Sequence, residues 1–157
     1  MKDTALFYEA IRSGNHKQLE AFLNVNPELA NSRDSRGFTP LIFATYFDNE
    51  IATKILIDHN AEIDTQDGTG NTALIGVSFK GNEKLAKLLI DNGANINAIN
   101  SMGTTALIFA TMYNKEQIVK LLLDHNADRS IKDNEGRTAY DHALEKGFKN
   151  LLNLLKL

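Results

Sequence analysis

"GFTPLIFA", residues 37–44, decides how this chain folds, because its pattern recurs. Gly37 is followed by Gly70, Gly103 and Gly136, each 33 residues after the one before. Two positions further on stand Thr39, Thr72, Thr105 and Thr138, and "TPL" is answered by "TAL", "TAL" and "TAY" in the same register. Later in each period, "KILIDHNAEID", "KLLIDNGANIN" and "KLLLDHNADRS" align as well. A fixed period of about 20–50 residues marks an array of identical units, each too small to bury its apolar face alone.

The residues within one period predict its local structure. Each Gly suits a tight turn that needs positive φ. Each Thr can cap a helix by accepting a backbone N–H, and Pro40 fits the first helical position, where its missing N–H costs nothing. A short helix follows, then a turn such as "KGN" at 80–82. A second helix carries Leu85, Leu88 and Leu89 at helical spacing. Gly93 ends it, and the pairs His59–Asn60 and His125–Asn126 end its counterparts, since Asn tolerates the left-handed conformation. The stretch "NINAINSMG" between units reads as an extended, projecting turn.

This unit resembles the ankyrin repeat, whose signature is a period of about 33 residues carrying T-P-L-H-x-A. The resemblance covers nearly the whole chain. It implies an all-α ankyrin-repeat solenoid of helix-turn-helix pairs with projecting hairpin-like loops. Ile42, Ile75, Ile108 and Asp141 stand where the family usually has His. One domain is expected over 1–157, with an N-terminal capping repeat at 1–34 and repeats at 35–67, 68–100 and 101–133. A C-terminal capping repeat is expected at 134–157. The first unit is expected to hold helices at roughly 4–12 and 16–24, with Gly14 matching Gly81 and one extra residue within "NPELANSRD".

Candidate binding residues follow from the register. In "LIFATYF", 41–47, Leu41, Ala44 and Thr45 share the face that packs on the unit's own second helix. Ile42 and Phe43 are expected to be partly buried between layers, whereas Tyr46 and Phe47, near the helix end, are the least covered. Steps of 33 carry Tyr46 and Phe47 to Phe79 and Lys80, to Met112 and Tyr113, and to Glu145 and Lys146. In the N-terminal unit they become Arg12 and Ser13. With layers on the order of 10 Å apart, the three middle units would display an apolar strip of about 20–30 Å with polar ends. Two readings compete: the aromatics fill gaps between first helices, or they form an exposed patch for a partner. We adopt the second. In ankyrin-like proteins the concave groove and the loop fingers usually bind, and these positions belong to that groove. Phe38 and Met102 on the fingers extend the strip, Arg33 and Arg36 make the first fingertip basic, and Arg12, Lys80 and Glu145 supply a charged rim.

Bulk properties narrow the function. The net charge of −3 with both signs interspersed offers no basic stripe for nucleic acid. There is no cysteine, and no apolar run approaches the ~20 residues of a membrane span. The N-terminal "MKDTALFYEAIRSGN" lacks the apolar stretch of a signal peptide, so the cytoplasm is the expected compartment, although a secreted or processed chain would read alike. Richness in Asn, Lys and Ile suits an AT-rich, bacterial genome.

No constellation of catalytic residues emerges. His59 and His125 lie two units apart, on the order of 20 Å, too far to share a metal. They and their neighbours Asp58 and Asp124 read as helix-end residues. Asp141 and His142 are adjacent without a nucleophile, the glycines fit no nucleotide-binding loop, and "DNEG" at 133–136 lacks the remaining ligands of a calcium loop. The expectation is a non-catalytic protein-binding module without cofactor or metal, gripping a protein or peptide, with neither nucleic acid nor membrane as partner. Its expected state is a monomer. Self-association, through the strip or through Leu154, Leu155 and Leu157, is the alternative.

Overall fold

The computed structural model describes residues 2–157, and side chains from residue 3 onward. Five helix pairs follow one another: α1 (Lys2–Ser13) and α2 (His16–Val25), α3 (Pro40–Tyr46) and α4 (Glu50–Asp58), α5 (Ala73–Lys80) and α6 (Glu83–Asp91). Then come α7 (Ala106–Met112) and α8 (Glu116–Asp124), and α9 (Ala139–Lys146) and α10 (Lys149–Leu155). No strand occurs among the described residues. The extra residue of the first unit falls where a 3-10 helix, Pro27–Asn31, takes up the added length.

Each threonine of the repeated motif does what its chemistry suggests. Thr39, Thr72, Thr105 and Thr138 accept at Oγ1 the backbone N–H groups of Ile42, Ile75, Ile108 and Asp141. Asn15, Asn49 and Asn82 cap the second helices in the same way. Between the helices of a pair one residue adopts the left-handed conformation. It is glycine at 14, 81 and 147, whereas Asp48 and Asn114 hold φ of 54° and 53°. These are the residue types whose short polar side chains best tolerate that region.

The helices stack in two rows. α1, α3, α5, α7 and α9 contact one another in sequence, α2, α4, α6, α8 and α10 form the second row, and each pair packs internally. This is the linear, two-layer order that the 33-residue period implies. Leu41, Leu74 and Leu107 are buried at one register position, and Leu56, Leu89, Leu122 and Leu155 at another. A single apolar cluster therefore runs through the stack. Ile42 and Phe43 are buried, a correction to the partial burial expected of them. Ile75 and Ile108 are sealed too, so the residues replacing the usual histidine fill the space between layers with hydrocarbon.

Fingers project from the first-helix side. In each one a β-turn closes back on itself, with Asp34, Asp67, Asn100 and Asp133 donating their N–H to the carbonyls of Phe38, Asn71, Thr104 and Arg137. Adjacent fingers are tied together: Ser101 donates to the Thr69 carbonyl at 3.1 Å and Asn134 to the Met102 carbonyl at 2.9 Å. At Gly70 and Gly103 a Cβ would lie 2.7 Å from the Ser101 nitrogen and 2.6 Å from Asn134 Oδ1, so these glycines permit the close approach.

Candidate functional site

The first helices and the fingers together form one face, and the exposed aromatics lie on it. Tyr46 is 55% exposed, Phe47 43%, Phe79 42%, Tyr113 48% and Met102 56%. Met112 departs from the expectation. It is half-buried and packs against the core, so it supports the face from below. Phe38 is likewise half-buried, its ring 6.2 Å from that of Tyr46.

The aromatics form two groups, not the continuous strip expected from the register. Tyr8, Phe43, Phe47, Tyr46 and Phe38 are linked ring to ring at 4.9–6.2 Å. Phe79, Phe109 and Tyr113 make the second group, with Phe79 edge-on to Tyr113 at 4.5 Å. Between them opens a cavity of about 580 Å³, walled by Phe38, Ile42, Tyr46, Phe79 and Lys80 and by Asp67 of the second finger. Gly76 lies at this gap. Its counterparts in the same register are Phe43 and Phe109 one period away and His142 two periods away, and a Cβ built on Gly76 would meet nothing within 4 Å. The cavity is thus a missing side chain, visible in the register as the one glycine among bulky residues.

The charged candidates are all tied down within the chain. Lys80 donates to the Tyr46 carbonyl and pairs with Asp48 at 2.8 Å. Arg12 pairs with Glu9, and Glu145 with Arg137. Arg36 pairs with Asp34 while its guanidinium lies 4.6 Å over the Phe38 ring. Burial alone would raise the Asp48 carboxyl, but hydrogen bonds from Lys80 and Asn82 outweigh it and hold the group below its ordinary range.

A device absent from the sequence reading organises the fingers. One carboxylate or amide oxygen of Asp34, Asp67, Asn100 and Asp133 accepts the backbone N–H groups two and four residues ahead. The signal was available: an Asp or Asn stands three residues before each repeated Gly. At Asp34 and Asp133 burial pushes the carboxyl up, but these N–H groups and a paired side chain prevail and lower it. The paired side chain at Asp133 is the buried His142, whose Nε2 lies 2.7 Å from Oδ2. The relevant partner of His142 is therefore nine residues away and not its neighbour Asp141, which instead completes a capping box with Thr138.

His59 and His125 cap the C-termini of α4 and α8, with Nδ1 at 2.9 and 2.8 Å from the carbonyls of Ile55 and Leu121. At the C-terminal unit Leu155 is buried, Leu154 half-buried and Leu157 94% exposed.

A family model described as ankyrin repeats (3 copies) matches residues 6–100 and, in a second placement, 74–156. The chain belongs to the ankyrin-repeat family. Ankyrin repeats are generally protein–protein interaction modules and are typically non-catalytic. No curated protein matches this ankyrin chain. No described helix is long and apolar enough to cross a membrane.

Proposed function

We propose that this ankyrin stack is a non-catalytic module that grips a protein partner across its first-helix face and fingertips. The observation that carries this reading is the set of five large apolar side chains, Tyr46, Phe47, Phe79, Met102 and Tyr113, left exposed on one face of a packed stack. Exposed apolar side chains gathered on one face in this way mark interaction sites, and Tyr, Phe and Met are enriched at interface centres. A scaffold ordered before binding loses little conformational entropy on association. Phe38 and Met112 buttress the face, and Arg12, Arg36, Lys80 and Glu145 form a rim whose ion pairs exchange with a partner's charges.

The test is the triple variant Tyr46→Ala, Phe79→Ala, Tyr113→Ala, used beside the parent protein in affinity capture from host lysate with mass-spectrometric readout. Loss of specifically captured proteins, with an unchanged helical spectrum, is expected. An unchanged set of captured proteins from the folded variant refutes the assignment of the face.

The exposed Leu144 and Leu157 favour a second reading, self-association through the C-terminal unit. Sedimentation velocity over a concentration range separates the two readings, because only self-association makes the sedimentation coefficient rise with concentration.

A further inference from the structure

We propose that the cavity at Gly76 receives an arginine side chain of the protein partner, with its guanidinium on the carboxylate of Asp67. The proposal deepens the reading of the first-helix face as a docking surface and rests on it.

The four fingers share one kind of anchor and differ in what meets it. Their anchor residues, Asp34, Asp67, Asn100 and Asp133, all use Oδ1 to hold the turn. What differs is the second side-chain terminus. Asp34 Oδ2 accepts Nε and Nη2 of Arg36 at 3.1 and 3.0 Å. Asp133 Oδ2 faces Nε2 of His142 at 2.7 Å. Asn100 carries no charge, and its Nδ2 donates to Asn71 Oδ1 at 2.9 Å. Asp67 is the exception: its three contacts, from Thr69 N, Thr69 Oγ1 and Asn71 N, all fall on Oδ1, and no described group donates to Oδ2.

The missing donor and the missing side chain coincide. His142, which meets Asp133, stands in the register position that Gly76 occupies in the third unit. Without a side chain there the cavity stands open, and with Thr69 where the first finger has Arg36, neither of the two donors used elsewhere reaches Asp67 Oδ2. The unit before supplies the chemistry of a fitting occupant: a planar guanidinium on the anchor carboxylate, lying over the Phe38 ring at 4.6 Å. The Gly76 cavity repeats those surroundings, with Phe38, Tyr46 and Phe79 as aromatic walls and Asp67 at the finger side. Arginine combines permanent charge, donors fit for a carboxylate and a face that stacks on aromatic rings. Lys80 is the one cation lining the cavity among the described residues, and its charge is already met by Asp48 at 2.8 Å.

The test titrates the full chain with the peptide Ac-Leu-Arg-Leu-NH2 and, separately, with its citrulline counterpart, a neutral isostere. Binding is followed by backbone amide chemical shifts. Saturable shifts at Thr69, Asn71 and Gly76 are expected for the arginine peptide, with the citrulline peptide at least tenfold weaker. Asp67→Asn should weaken the arginine peptide at least tenfold while keeping the fold, since Asn100 already closes the same turn with an amide. Gly76→His should likewise block the peptide, because the new imidazole would fill the cavity and meet Asp67 as His142 meets Asp133. No saturable shift, equal binding of the two peptides, or unchanged binding by Asp67→Asn overturns the proposal. Peptide binding as expected, beside undiminished capture by the Tyr46/Phe79/Tyr113 variant, would sink the face assignment alone. Capture that needs those aromatics but tolerates Asp67→Asn would sink the arginine site alone.

Discussion

Replacing Gly103 by alanine tests whether the fingers stand as a rigid ladder. Gly103 and Gly136 both hold positive φ, 70° and 77°. An alanine in that region costs about 1–2 kcal/mol, offset by about 0.4–1 kcal/mol because the unfolded chain loses freedom. Gly136→Ala should therefore destabilise by no more than about 1.6 kcal/mol, since nothing lies within 4 Å of its added Cβ. At Gly103 the same Cβ meets Asn134 Oδ1 at 2.6 Å and the Asn134 nitrogen at 3.0 Å. The third and fourth fingers must separate. That breaks the Asn134 N–H bond to the Met102 carbonyl and the Asn134 Nδ2 bond to the Ser101 carbonyl. At about 0.5–1.5 kcal/mol each, these two bonds add roughly 1–3 kcal/mol. Gly103→Ala should thus lie roughly 1–3 kcal/mol below Gly136→Ala in stability. Urea denaturation followed by circular dichroism measures the difference. Equal midpoints for the two variants would show that the fingers are not held against each other, and that the ladder does not stiffen the binding face.

Two groups make further predictions. Tyr8→Phe removes the hydroxyl lying 2.8 Å from the Phe38 carbonyl and 3.2 Å from that of Ser32, and should cost about 0.5–1.5 kcal/mol in urea titrations. Burial pushes the Tyr8 phenol up from 10.0 to about 12, so the fold favours its neutral form. Its contribution is complete below pH 10 and lost as pH rises towards 12. Alkaline titrations should therefore show a shallower loss for Tyr8→Phe, and parallel curves would refute the assignment. At the other end of the scale, the Asp133 carboxyl lies below its unfolded value, so its stabilisation is present above about pH 4 and fades as pH falls through the folded value. Asp133→Asn keeps the turn acceptor but loses the charge facing His142, so its deficit against the parent should be largest near neutrality and shrink below about pH 4. A deficit that persists unchanged in acid would show that the Asp133 charge contributes nothing.

Much of this protein is legible along one dimension. The Gly and Thr spacing, Pro40 and the left-handed Asn60 and Asn126 follow from local backbone chemistry, and the helices begin and end where those residues require. Register arithmetic likewise placed Tyr46, Phe47, Phe79 and Tyr113 among the least covered side chains. The partners of the charges were not legible in the same way. Lys80 meets Asp48, Arg137 meets Glu145, and His142 meets Asp133, contacts that depend on how loops fold back beside helices.

The sequence by itself determined the repeating unit and the order in which units stack, because helix caps and turns are short-range and a period repeats whatever local chemistry succeeds once. Only the tertiary structure decided which members of one register position stay exposed. Met112 and Phe79 stand one period apart, yet one packs against the core and the other remains open, because burial depends on what the adjacent layers bring to the same spot. For the same reason the missing side chain at Gly76 could be read from the register, but that Tyr46 and Phe79 stand apart around the gap and leave it unfilled could not.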